Sequence, residues 1–260
     1  MKGKIGILFC CVFFLLGEII AQKTRKYTTK KDIQHPAYDS IVKHSFKNKI
    51  LIASSCDSSM LIDEMSVFKK SIEQNNTDQM QLICDLGNFY HAWIILTLCR
   101  NQSLIRTGND ERFYLHDTII LDKVPYTLKS LRESILRLGL KSKLQLTFSL
   151  WNGTKSGANP PKKSWYKQTL KTMILSAGKA FFKNADDEFT ADLAVHTLCI
   201  SEQIMQELDM NFSSNGIDIN VLLPIIAQYL PDHISAFCAL NKAKIKMRVI
   251  PVSDILARSP

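Results

Sequence analysis

Residues 78–100 read as one helix that is apolar nearly all round, and this feature constrains the chain more than any other. One face carries Ile83, Leu86, Tyr90, Trp93 and Thr97, and the opposite side carries Phe89, Ile94, Ile95 and Leu98. A helix without a polar face has to be enclosed by other elements. The longest apolar stretch in it, Ala92 to Cys99, is eight residues with a threonine inside. Crossing a bilayer takes about 17–25 apolar residues, so the sequence predicts a buried central helix.

The neighbouring sequence supplies elements to enclose it. Leu61, Met65, Phe68 and Ile72 recur at helical spacing after Asp57 or Ser58, either of which caps the start. Further helices are expected from Pro125 to about Leu138 (stopped by Gly139), over 164–183, and from Asp186 or Asp187 to about 210. Two more are expected over 220–230, bounded by Pro231, and from Asp232 to about 243. Strand alternation appears twice. Leu144, Leu146, Phe148 and Leu150 alternate with polar residues, and Lys242, Lys244, Lys246 and Arg248 alternate with Ala243, Ile245, Met247 and Val249. The fold expected is mainly α, a bundle of about six helices with a small β element from 143–151 and 243–251. The alternative is an α+β or α/β sheet protein, in which Lys49–Ala53, helix 57–74 and Gln79–Asp85 form strand, helix, strand. In that version Asp85-Leu86-Gly87 resembles the end of the second strand of some secretory-pathway glycosyltransferases. The Asp-x-Asp metal motif of such enzymes is missing, and Leu121-Asp122-Lys123 is its nearest approach.

The N-terminus carries an address. Lys2 and Lys4 precede an apolar run from Ile5 to Leu16, and Ile19-Ile20-Ala21 offers a small residue for cleavage. That order predicts a secretory signal peptide over 1–21. It is followed by a basic flexible arm over 22–48, with Lys23, Arg25, Lys26, Lys30 and Lys31, and a single mainly helical extracellular domain over 49–260. The chain has 33 Lys and Arg against 24 Asp and Glu, a net charge of +9; losing Lys2, Lys4 and Glu18 with the signal leaves +8. Outside the cell such a charge favours sulfated glycosaminoglycans. The compartment argues against nucleic acid, and no stable membrane insertion is expected after cleavage.

Secretion gives other residues a meaning. Asn75, Asn101, Asn152 and Asn211 each begin an Asn-x-Ser/Thr sequon and are expected to carry glycans on loops. Five cysteines follow residue 21: Cys56, Cys84, Cys99, Cys199 and Cys238. Cys84 and Cys99 sit on one helix about 22 Å apart, beyond disulfide reach. An antiparallel hairpin of the first two helices brings Cys99 to Cys56, sequential C-terminal helices bring Cys199 to Cys238, and Cys84 is left as the odd thiol.

No motif calls for a cofactor, and catalytic signatures are missing. There is no His-Glu-x-x-His pair, no Gly-x-Ser-x-Gly elbow and no phosphate-cradling glycine loop. His196 and Cys199 are expected on one helix face as a core pair, and Asp186-Asp187-Glu188 as a helix cap. The reading that follows is an extracellular binding or signalling protein of cytokine-like type, with a cell-surface receptor or other extracellular protein as partner. Its glycan-binding row would be Lys242, Lys244, Lys246 and Arg248. The alternatives are a secretory-pathway enzyme, glycosyltransferase-like or a hydrolase, and a carrier of small apolar ligands using a cavity lined by Trp93, Phe89 and Tyr90.

Overall fold

The structure, a computed structural model, describes residues 35–47, 50–51, 57–74, 77–100, 117–139, 146–153, 158–183, 189–207 and 219–250. It is mainly helical with a small β part. The described residues belong to one compact unit that begins at His35.

Helix α1 (Pro36–Ser45) opens on a proline, carries Asp39 in its first turn and Lys43 and His44 in its last, and buries Tyr38, Ile41 and Val42. Charges in those places complement the helix dipole. This corrects the expected arm: residues 36–45 are an amphipathic helix of the core, because Tyr38, Ile41 and Val42 fall on one face. Two-residue strands β1 (Phe46–Lys47) and β2 (Ile50–Leu51) pair antiparallel after it.

Helix α2 (Ser58–Gln74) is capped by Asp57, whose Oδ1 accepts from the backbone N–H of Ser59 (3.1 Å) and Met60 (3.0 Å). Leu61, Met65, Phe68 and Ile72 are buried, as their spacing requires. Helix α3 (Gln79–Arg100) starts at Asp78, which accepts from Gln81 N–H at 3.2 Å, and is buried continuously from Ile83 to Leu98. Its length and composition would suffice to cross a membrane, but 89% of its most apolar window is buried inside the protein. It packs most extensively on α2. The strand–helix–strand reading fails here, because Asp85 lies within an unbroken helix.

The segment expected to start a helix at Pro125 is instead a hairpin of β3 (Ile119–Leu121) and β4 (Val124–Tyr126). Its two-residue turn puts Asp122 and Lys123 at φ 45° and 65°, the left-handed backbone that matches the twist of paired strands. Helix α4 (Leu128–Leu138) then begins with a reciprocal cap. Thr127 Oγ1 accepts from Ser130 N–H (3.1 Å) and Ser130 Oγ accepts from Thr127 N–H (2.9 Å). The strand expected over 143–151 is not formed among its described residues. Leu146 to Leu150 make a helical turn in which the N–H groups of Ser149 and Leu150 both reach the Leu146 carbonyl at 2.9 Å. Every residue from Leu146 to Trp151 is buried, whereas alternation presupposes one wet face.

Helix α5 (Leu170–Lys183) joins two parts of the core. Leu170 and Ile174 pack around α3, while Phe181 and Phe182 belong to a second cluster. That cluster holds a three-stranded sheet of β5 (Phe189–Asp192), β6 (Thr197–Ser201) and β7 (Lys246–Ile250), in that order. Strands β5 and β6 are antiparallel, β6 and β7 parallel. Helices α6 (Glu202–Glu207), α7 (Ile219–Ile226) and α8 (Asp232–Asn241) make the crossover. The sheet replaces most of the helix expected over 186–210. Asp192 Oδ1 accepts from Ala194 and Val195 N–H, and His196 takes φ 56°, so the chain reverses between strands.

Aromatic rings fill the second cluster. Phe148 stacks on Phe181 with centroids 4.9 Å apart, and Phe182 lies 6.0 Å from Tyr229 with nearly parallel planes. A Cβ at Gly178 would sit 2.7 Å from Tyr229 Cδ1, so α5 needs glycine where that ring crosses it. Gly178→Ala is therefore expected to destabilise by about 1–3 kcal/mol, the range for overpacking a filled core. A denaturation midpoint unchanged by the substitution would place Tyr229 elsewhere.

Candidate anion-binding surface

The C-terminal cations are placed by the end of α8 and by β7. Asn241 Nδ2 donates to the Phe237 carbonyl at 3.1 Å, and a single 3₁₀ turn (Lys242–Lys244) follows. Ile245 then buries itself in the second cluster, and Lys246 N–H donates to the His196 carbonyl at 2.8 Å, where β7 joins the sheet. The register pairs Thr197 with Lys246 and Cys199 with Arg248. The expected row of four cations on one strand is thus divided. Lys246 and Arg248 share a strand face about 6.6 Å apart, while Lys242 and Lys244 lie on the turn. The 3₁₀ turn forms because Ile245 must reach the core directly after the helix ends. All four cations are exposed, and none pairs with a carboxylate among the described residues. Strand β7 is an edge of the sheet. Leu240 (86% exposed) and Val195 (60%) lie on the adjoining helix end and turn, where His196 and Phe237 meet with ring centroids 5.1 Å apart. Lys23, Arg25, Lys26, Lys30 and Lys31 lie outside the described residues.

A second concentration of polar groups was not visible in the sequence. Ser164 N–H and Oγ donate to Asp39 Oδ1 at 2.6 and 2.5 Å, and the Tyr166 hydroxyl lies 2.6 Å from Ser164 Oγ. That hydroxyl also accepts the His35 N–H at 3.2 Å, and His35 Nδ1 contacts Glu64 Oε2 at 3.0 Å. These are the residue types of a hydrolytic site, but His35 contacts Glu64 and Tyr166 rather than Ser164, and Ser164 is fully buried. The cluster fastens α1 and α2 to the segment leading into α5. Burial, with Asp39 and Glu64 close by, pushes the neighbouring Tyr38 phenol well above its ordinary range.

Helix α3 carries polar groups that serve its packing. Asp85 accepts from Ser71 Oγ (2.7 Å) and Gln81 Nε2 (2.9 Å). His91 Nε2 accepts the Trp151 N–H at 3.2 Å, and burial lowers the ring's pKa to about 3 against a smaller opposing interaction with the Ser149 backbone, so it is neutral at pH 7. Trp93, Phe89 and Tyr90 are buried. They line neither of two surface grooves that described residues form, so these give the carrier reading no support at the expected place.

Of the expected glycan acceptors, Asn152 is half-buried in a turn ahead of Gly153 (φ 84°), and Asn75, Asn101 and Asn211 lie outside the described residues. The acidic run Asp186-Asp187-Glu188 lies outside them too. Cys84, Cys199 and Cys238 carry thiols, so the expected Cys199–Cys238 bridge is not made. Cys199 alternates on β6 with Leu198 and Ile200, which face the second cluster where Cys238 is buried; successive strand residues point to opposite faces. Burial raises the Cys238 thiol's pKa. The same strand corrects the expected His196–Cys199 helix pair. Cys99 is disulfide-bonded. Among the described residues no group of three or more His, Cys, Asp or Glu is placed to hold a metal ion. Compared with family models, with characterised proteins and with solved structures, the chain matches none.

Proposed function

We propose that this chain is a secreted, glycosylated extracellular binding or signalling protein, its helices arranged as a bundle in the cytokine-like manner. In this reading it is held near cells by sulfated glycosaminoglycans and engages a cell-surface receptor or other extracellular protein. The observation that carries the reading is the C-terminal segment, where Lys242, Lys244, Lys246 and Arg248 are all exposed and unpaired with any described carboxylate. Unneutralised cations this close together sum to a local field that draws polyanions. The exposed Leu240 and Val195 beside them give the same surface an apolar rim suited to a protein partner.

Mature protein is expected to bind immobilised heparin and to elute above physiological salt, about 0.15 M, where the Debye length is about 8 Å. The double substitution K244E/K246E should bring elution down to that salt or below while leaving the circular dichroism unchanged. Elution of the native chain in low salt, or an elution point unmoved by the double substitution, would leave these lysines as guards of an exposed sheet edge.

A further inference from the structure

The larger of the two grooves, about 710 Å³, lies where α5, β5 and the start of α8 meet. Its floor is the outer side of the aromatic cluster: Phe182, Phe189 and Tyr229 are buried, with Phe182 and Phe189 centroids 5.2 Å apart. Its rim is basic. Lys179 and Lys183 line it one helical turn apart on α5, both exposed, and neither pairs with a carboxylate among the described residues. Side chains four residues apart on a helix are neighbours, about 5–6 Å between Cβ atoms, so the two ammonium groups can converge on one anion. His233 lines the same groove, and Asp232 is the single carboxylate in its lining, leaving a positive balance. A volume of this size falls within the ~300–1,000 Å³ of small-molecule sites, which combine an apolar floor with a few placed polar groups.

We propose that this groove binds an amphiphilic anion, an apolar chain or ring with one acidic head. The head sits between Lys179 and Lys183, and the apolar part lies against Phe182, Phe189 and Tyr229. The division of labour follows from the lining, since apolar burial alone would not need the lysine pair and the lysines alone would not need an aromatic floor. This site is separate from the cations of residues 242–248 and does not rest on the glycan reading.

The probe is 8-anilinonaphthalene-1-sulfonate, an aromatic anion, compared with the uncharged N-phenyl-1-naphthylamine. Native protein is expected to bind the sulfonate saturably and to release it when oleate is added. K179Q/K183Q should weaken the sulfonate by about tenfold or more and leave the uncharged probe within about twofold, with unchanged circular dichroism. K162Q/K163Q, at exposed lysines outside both groups of cations, should bind the sulfonate as the native chain does. Sedimentation with phosphatidylserine vesicles separates two sources of the head. Pelleting that is lost in K179Q/K183Q assigns it to a membrane lipid, and no pelleting alongside oleate displacement assigns it to a free amphiphile. Absence of saturable binding, failure of oleate to compete, or equal sulfonate affinity in K179Q/K183Q overturns the proposal.

Discussion

Asn88→Ala is expected to destabilise the protein by about 2–6 kcal/mol. Asn88 lies in the middle of α3 and grips the backbone of Trp165 from both sides. Its Nδ2 donates to the Trp165 carbonyl at 3.0 Å and its Oδ1 accepts the Trp165 N–H at 2.6 Å. Both residues are buried, so water cannot replace what alanine removes. Each orphaned buried group costs about 1–3 kcal/mol, and two are orphaned. Neighbouring residues show why the chain is held here. Trp165 lies so close over Gly87 that a Cβ there would be 2.4 Å from its ring, and His91 meets the same indole at 5.2 Å. A continuous helix thus presents a notch at Gly87, a backbone clamp at Asn88 and a ring contact at His91, and the irregular segment before α5 is seated by all three. Denaturant unfolding followed by tryptophan fluorescence measures the loss. A change below about 0.5 kcal/mol, the usual range for a surface substitution, would mean that this segment is not anchored by α3.

The central helix was legible in the sequence because its burial leaves no room for polar residues except those with internal partners. Asp85, Asn88, His91 and Thr97 are the exceptions, and each finds one. Helix α2 was legible for a different reason, having both a cap at Asp57 and one clean apolar face. The same periodic reasoning failed at 186–201, where Leu193, His196, Cys199 and Ile200 satisfy a helical spacing. The pairing of β5 with β6 and the turn seeded by Asp192 decided otherwise, and strand pairing is a non-local gain that periodicity does not register. It failed in the opposite sense at Leu146–Leu150, whose alternation suggests a strand with Thr147 and Ser149 in water. Both are buried, and Ser149 Oγ reaches the Ile174 carbonyl at 3.3 Å. The cluster around Ser164 was out of reach altogether, since its members come from α1, α2 and the segment before α5. The basic C-terminus was legible as a concentration of charge but not as a shape, because the need to bury Ile245 broke the strand into a turn and a shorter strand.

Cys99 and Cys56 are expected to form the one intramolecular disulfide of the mature chain, and removing it with Cys99→Ser should cost about 4 kcal/mol. Cys84, Cys199 and Cys238 carry thiols while Cys99 is disulfide-bonded. With residues 1–21 removed as proposed, and Cys10 and Cys11 with them, Cys56 is the remaining partner. The helical hairpin agrees with that choice. Asp57, the residue after Cys56, caps the start of α2, and Cys99 is the penultimate residue of α3. Helices joined by so short a connection run antiparallel, which returns the end of α3 to the start of α2. The bridge closes a loop of about forty residues, for which the loss of chain entropy in the unfolded state corresponds to about 4 kcal/mol. Peptide mapping without reduction should recover the Cys56 and Cys99 peptides joined, and the denatured, unreduced chain should titrate with three thiols. Dithiothreitol should lower the stability of the native chain by about the amount lost in Cys99→Ser and leave that variant unchanged, which separates the bridge from any effect of the serine itself. Five titratable thiols would remove the bridge, and with it the oxidising compartment on which the proposed extracellular role depends. A Cys99 peptide joined to Cys84 instead would contradict the packing of α2 on α3.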